Sequence, residues 1–447
     1  MGFWLRMKSC VVIFFLVSLI SSDTAAPPPG IKVRITEKVK DLGLMYLKGL
    51  VNREFLIENE DFLIKSVTLT KLQIDPAQVD FRFQDKIGLQ FEIRDLNFAL
   101  QLQREKNVQF FKKFKIDKGT TIFTGEGVRA MILVRMNQNP KGHLNVEIGK
   151  EDCKINADSI RTKSTGFVGK VLDKFKSLTK HFFKKKICPA LQPMINDKLK
   201  DLSTMRTVHE GRQLDLDYSL SSDIAVTSRS LDMSFKGLMS VRGQAVDTDS
   251  IRPGKEPVFT ETNKMIYVGI SEFFFNGAAM AIYKSGPFEV NVPKLEGLKS
   301  VVNLLLGAVG IQPGLLKVKL TKAPIIQISK AGLSATVDIE TQSEGQQSVL
   351  VSCKLDMNVK FEASRLIPVI KTPKCNVETQ KIIGKIVVGA AKAILYFVDK
   401  WFDEGIPIPL PTDLSFIDAK TQFEEGYLVV GGSLNFIPLQ SSSNAGG

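Results

Sequence analysis

Two periodicities divide the chain between them. In long stretches apolar and polar residues alternate one by one, the period of a half-buried strand. Leu89, Phe91 and Ile93 hold odd positions, and Leu96, Phe98, Leu100 and Leu102 hold even ones. The phase flips at Arg94 and Asp95, which predicts a β-bulge in one long curved strand. Gly119, Gly125 and Gly127 punctuate the next strands, and residues 137–142 (Asn-Gln-Asn-Pro-Lys-Gly) predict a turn. Alternation returns over residues 214–242 and again through Leu333, Ala335, Val337 and Ile339. Residues 265–283 predict a strand, a Phe cluster and a second strand. The clearest strand carries Val349, Val351, Cys353, Leu355, Met357, Val359 and Phe361 on one face, with Ser352, Lys354, Asp356, Asn358 and Lys360 between them. Reflection about Ser364 sets Phe361 against Ile367, Val359 against Val369 and Cys353 against Cys375, a hairpin register that brings two cysteines face to face.

The other period is helical. Ile35, Val39, Leu42, Tyr46 and Leu50 predict an amphipathic helix over 34–51. Val168, Val171, Leu172, Phe175, Leu178 and Phe182 predict a long helix over 164–187, kinked at Pro189 and resumed by Leu191, Met194, Ile195, Leu199 and Leu202. Residues 297–309 predict a short apolar helix. Ile382, Ile386, Val387, Ala390, Ile394, Phe397, Val398 and Trp401 predict a second long one over 377–402. Each half therefore runs short helix, long strands, long helix, prolines: an architectural repeat without visible sequence repetition. Between the halves, Pro253, Gly254 and Pro257 mark a linker.

Composition sharpens this picture at three points. The first 26 residues have the form of a secretory signal: Arg6 and Lys8, an apolar run over 11–20, then small residues. The run is too short to span a membrane. Of five cysteines, Cys10 lies in that segment, which leaves four, with three connectivities, in an oxidising compartment. Charge is the third point. Residues 101–200 hold 22 Lys and Arg against 9 Asp and Glu, and the rest of the chain is close to balance, so these hundred residues carry the whole net charge of +13. Such a field favours an anionic partner.

Catalytic chemistry has little to stand on. His143, His181 and His209 lie in no metal-ligand spacing, and no nucleophile elbow or phosphate loop occurs. The chain reads as a non-enzyme, without metal. The sharper candidate is a basic stretch, Arg104, Lys106, Lys112, Lys113, Lys115 and Lys118, interleaved with Phe110, Phe111 and Phe114. It can clamp phosphates while Phe enters acyl chains, or it can be a strand edge guarded by lysine. Lys170 and Lys174, on the polar face of the long helix, can add to the anion site or be a solvated face.

Several strings resemble the bactericidal/permeability-increasing and lipopolysaccharide-binding protein family, relatives of the phospholipid and cholesteryl ester transfer proteins. They are Pro-Gly-Ile-Lys-Val-Arg-Ile-Thr at 29–36, Met-Ile-Tyr-Val-Gly-Ile-Ser-Glu-Phe-Phe-Phe-Asn at 265–276 and Gly-Ile-Pro-Ile-Pro-Leu-Pro at 405–411. The resemblance implies an α+β fold, an elongated boomerang of two barrel-plus-long-helix domains joined by a central antiparallel sheet. Its divisions are a signal peptide (1–26), a basic N-terminal barrel domain (27–245), a linker (246–262) and a C-terminal barrel domain (263–447). It implies a Cys153–Cys188 disulfide, and one phospholipid pocket per domain, here Leu42, Tyr46, Leu50, Leu191, Ile195, Leu199, Leu305, Ile386, Ile394 and Phe397. The implied protein is secreted and binds lipopolysaccharide or anionic phospholipid at the bacterial outer membrane in innate defence. The basic stretch would dock the phosphates, with bound phospholipid and no cofactor. Phospholipid transfer between particles is the alternative within the family, and binding of heparin or nucleic acid the alternative outside it. One departure is visible: the first tip loop, basic in antibacterial members, is Glu58-Asn59-Glu60-Asp61 here.

Overall fold

The computed structural model describes residues 27–42, 44, 51–52, 54–59, 64–110, 113–165, 188–200, 204–291, 315–343, 349–362, 365–371, 374–377, 405–408 and 414–436. The signal-like segment and the predicted helices over 297–309 and 377–402 lie outside these residues, apart from Val377. So does the helix over 164–187, apart from Ser164 and Thr165. Val377 and Ser164 end the strands Lys374–Val377 and Ile160–Ser164, and Thr165 N–H donates to Thr120 C=O at 2.8 Å.

Antiparallel sheet dominates. Among the described residues, a six-stranded central sheet runs in the order Ala225–Val226, Ser230–Phe235, Ile31–Thr36, Ile266–Ser271, Tyr427–Phe436, Leu414–Glu424. Its first three strands precede the Pro-rich stretch at 246–262 and its last three follow it. Ile31–Thr36 is the seam, paired to Ser230–Phe235 on one side and to Ile266–Ser271 on the other. A helix predicted from residue 34 is thus corrected at its start. The β-branched run Ile-Lys-Val-Arg-Ile-Thr fills an interior strand, and helical backbone begins only at Val39. Ile31 and Val33 enter the core, while Arg34 on the opposite face binds Asp232 through two hydrogen bonds, 2.8 and 2.7 Å.

Among the described residues, one eight-stranded sheet precedes that stretch in the chain and another follows it. The first is organised on Gly88–Phe110 and Lys113–Gln138, strands of 23 and 26 residues. The predicted phase flip is a real irregularity: the register steps between Ile93–Ala130, Leu96–Val128 and Phe98–Gly125. Gly127, at φ +62°, absorbs the bend and donates its N–H to Asn97 Oδ1 at 2.9 Å. The second sheet is organised on Gly332–Ser343 and Val349–Glu362. Neither sheet's strand order closes into a ring among the described residues.

The second sheet corrects the hairpin register. Phe361 pairs with Leu366 and Val359 with Pro368, one residue off the reflection about Ser364, because two residues rather than one separate the paired Glu362 and Arg365. The offset is undone before Lys374, so Cys353 does stand opposite Cys375. The register steps between Ile370 and Lys374, and Lys371 lies in that interval. Cys353 is disulfide-bonded.

Two further expectations change. Residues 272–285 form a helix, Glu272–Ser285, in place of the second strand expected after Ile266–Ser271. Phe273, Phe274, Phe275, Ala278, Ala279 and Ala281 are all buried, and a helix apolar all round has no stripe by which its period can be read. The Pro-rich linker is irregular but packed. Ile251, Pro257 and Phe259 are buried, Arg34 lies 5.1 Å from the Phe259 ring centroid, and Lys32 pairs with Glu256 at 2.6 Å. One apolar cluster runs unbroken from Ile31, Phe81 and Leu216 through Val268 and Phe274 to Ile339, Val351 and Leu366. Each such side chain contributes roughly 1.5–3 kcal/mol, so the central sheet joins the two cores into one.

Candidate functional site

The basic stretch is the outer end of the hairpin made by the two longest strands. Pairing runs from Arg104–Gly119 through Lys106–Asp117 and Val108–Lys115 to Phe110–Lys113. Residues directly opposite each other, and those two apart along a strand, share a face. The register therefore sets Arg104, Lys106, Lys113 and Lys115 on one face with Val108, Phe110 and Asp117. Lys118 falls on the other face, opposite Glu105, with Phe114 opposite Gln109. Lys112 lies outside the described residues. Among the described residues, strand pairing beyond Arg104–Gly119 involves these two strands alone, since Ile64–Ile74 ends at Ile64–Arg104 and Ile160–Ser164 at Thr121–Ser164. The acidic segment starts beside the root of this ribbon: Asn59 pairs with Ile64, which pairs with Arg104.

The helix Cys188–Lys200 is the described part of the expected N-terminal pocket wall. Pro189 sits in its first turn, where a missing N–H costs nothing. Pro193 is inside, at a cost of about 3 kcal/mol for an interior position. Tertiary contacts hold this weak helix. Cys188 is bonded to Cys153, with Cα atoms 5.8 Å apart. Four and eight residues on, Gln192 Oε1 accepts from Ile148 N–H at 3.0 Å. Asn196 accepts from Val146 N–H at 2.8 Å and donates to Val146 C=O at 2.9 Å. Strand Leu144–Glu147 ends its sheet's order, so two amide side chains satisfy the edge that another strand would otherwise satisfy. Leu191, Ile195 and Leu199 form the adjoining stripe and are half-buried. Leu42 is a buried member of the continuous core. Tyr46, Leu50, Leu305, Ile386, Ile394, Phe397, Lys170 and Lys174 lie outside the described residues.

The same clip recurs in the other half. On helix Glu272–Ser285, Glu272 Oε1 accepts from Ile328 N–H at 2.7 Å. Asn276 accepts from Ile326 N–H at 2.9 Å and donates to Ile326 C=O at 3.1 Å. The buried Glu272 carboxylate also meets Arg252 of the linker at 3.2 Å. Sequence reasoning missed all four clip residues. The available signal was a polar pair four apart inside an apolar helix.

Beside the disulfide, Asp152 is bound by Arg135 at 3.1 and 3.0 Å and by Gly149 N–H at 2.8 Å. Burial pushes its carboxyl up, but the Arg135 and Gly149 bonds outweigh burial and hold it below the ordinary range. Asp215 is held low by its bonds from Arg242, with Thr207 adding to them against burial. Among the described residues no group of three or more His, Cys, Asp or Glu is placed to hold a metal ion, and no helix is long and apolar enough to cross a membrane.

Comparison with known proteins adds the following. A family model described as "LBP / BPI / CETP family, C-terminal domain" matches residues 209–436, a span that takes in five of the six central strands. The chain is 23% identical over 461 residues to the phospholipid transfer protein of Homo sapiens, covering 91% of this chain and 90% of that protein. It is 23% identical over 485 residues to the lipopolysaccharide-binding protein of Bos taurus, covering 93% and 96%. Among solved structures, a crystal structure of lipopolysaccharide binding protein aligns with 92% of this chain and 100% of that one, at TM-score 0.49 and 16% identity.

Proposed function

We infer that this chain, which belongs to the LBP / BPI / CETP family, is a secreted, non-catalytic lipid-binding protein whose ligand is lipopolysaccharide or a similar anionic bacterial lipid. The observation that carries this reading is the register of the basic ribbon. Four cationic positions, Arg104, Lys106, Lys113 and Lys115, share a face with Phe110 and Val108. Phosphates would dock on the cations, and the acyl chains would lie against apolar residues there and in pockets behind the helices. The acidic start at Glu58 stands at the ribbon's root and would repel phosphate there, so the outer pair Lys113 and Lys115 should dominate.

The test is Lys113→Glu with Lys115→Glu, assayed against lipid A at low and moderate salt. Affinity should fall roughly tenfold or more at low salt, with the difference shrinking as salt rises. Lys118→Glu, on the opposite face, should change little. Equal losses from both variants would remove the face assignment.

Phospholipid transfer is the second reading, favoured by the match over 91% of the chain to a phospholipid transfer protein. A vesicle-to-vesicle transfer assay separates it from docking alone. Lipid extraction of the purified protein checks the pockets.

A further inference from the structure

The outer face of the C-terminal sheet carries a row that strand chemistry disfavours. Lys354 stands directly opposite Lys374, in the row Ile325–Thr336–Lys354–Lys374. Like charges directly opposite on neighbouring strands destabilise a sheet. Edge protection does not account for Lys354, because its strand is paired on both sides, to Gly332–Ser343 and to Lys374–Val377.

The surrounding positions extend the pattern. Lys360 lies on the same face of the Val349–Glu362 strand, and Lys371 is brought beside Asp356 by its N–H, which donates to Asp356 C=O at 2.8 Å. Lys354, Lys360, Lys371 and Lys374 are all exposed. The acids on this face are matched: Asp338 meets Lys322 at 2.8 Å, Glu340 is opposite Lys319, Glu362 is opposite Arg365, and Asp356 has Lys354 and Lys371 around it. Cationic charge is left over. Two large apolar side chains stand on the same face, Ile325 at 43% exposure in the row of Lys354 and Leu350 at 45% on the Lys354 strand, opposite Glu340. The reverse face is core, with Val337, Cys353 and Leu355 buried.

We propose that this face is a membrane-docking surface for anionic phospholipid. Lys354, Lys360, Lys371 and Lys374 meet the headgroup phosphates, and Ile325 and Leu350 enter the headgroup–acyl boundary. Exposed apolar residues on a face with surplus lysine are the combination that binds an anionic leaflet, through surface potential and shallow apolar burial together. The surface lies on the C-terminal sheet, apart in sequence from the basic ribbon, and needs neither the ribbon nor a pocket.

The experiment uses the full chain with vesicles of phosphatidylcholine, with and without phosphatidylglycerol. Lys354→Glu together with Lys374→Glu should weaken binding to the anionic vesicles by about 25-fold or more at low salt, from roughly fivefold for each lysine lost near a charged leaflet. Binding to neutral vesicles should be unaffected. Ile325→Ser with Leu350→Ser should weaken the part of binding that survives high salt. Misfolding is controlled by the single variant Lys354→Glu. It turns a like-charge pair into an opposite-charge pair, so its Tm should hold or rise while its vesicle affinity falls. Unchanged vesicle affinity in the double variant overturns the proposal. So does a loss confined to soluble heparin, which would make the face a polyanion site. Because Lys113→Glu with Lys115→Glu leaves this face intact, loss through the ribbon and loss through this face are separately readable.

Discussion

Asp152 and Asp215 are each bound by a two-pronged arginine, and each carboxyl is held below its ordinary range. A group depressed in the fold stabilises it above the unfolded value, about 3.9 for Asp. That contribution is lost as pH falls from there through the folded values. Asp152→Asn and Asp215→Asn should therefore lower Tm at neutral pH, and the gap from the parent chain should narrow below about pH 4. A gap that stays constant down to acid pH would mean that the arginines act through packing alone. Asp152 has a further position of note. It precedes Cys153 and its C=O accepts from Leu133 N–H at 2.7 Å, so the ion pair also fixes the sheet end of the disulfide.

At the scale of elements, the two helices do the same task by the same means. Gln192 with Asn196, and Glu272 with Asn276, each place an acceptor and a two-way amide four residues apart on a helix, running opposite to the strand they close. A sheet edge covered in this way needs no neighbouring strand and offers none a place to add. Asn196→Ala leaves a backbone N–H and a C=O unmet at Val146. Each buried unmet group costs about 1–3 kcal/mol, so Tm should fall by several degrees and aggregation on heating should increase. Asn276→Ala should do the same at Ile326. Matched Tm values for parent and Asn196→Ala chains would show that water replaces the amide without loss.

The whole molecule is held by the interleaving of the central sheet. Ile31–Thr36 lies between a strand of its own half and one of the other, and the apolar cluster passes through all three. A cut in the exposed stretch around Asp247 and Asp249 should leave one particle on native gel filtration. Under denaturing, non-reducing conditions the same sample should separate into two fragments. Cys153–Cys188 lies before the cut, and we pair Cys353 with Cys375, after it. Fragments that stay linked until reduced would overturn that pairing. Fragments that part under native conditions would show that the seam strand is not what joins the halves.

Alternation along strands was legible because strand side chains repeat every two residues whatever lies around them. Hence the long curved strand, its bulge at 94–95 and the Val349–Phe361 face were all readable from residue order. The cationic surplus of residues 101–200 was readable for the same reason, as a property of composition. Helix Glu272–Ser285 was not, because burial on every side erases the periodicity that would announce it. Nor was the start of the first helix, because Ile-Lys-Val-Arg-Ile-Thr becomes strand only when strands from residues 230–235 and 266–271 come to pair with it. Pairing across such distances also decided which lysines share a face. Lys118 lies within six residues of Lys113 and Lys115 in the chain, yet register sets it on the opposite face, beside Glu105. Lys354 and Lys374 are twenty residues apart, yet they stand in one row. Local order determines which elements can form and which face of each is apolar. Register and the company of other strands, which depend on contacts distant in sequence, decide where charge accumulates.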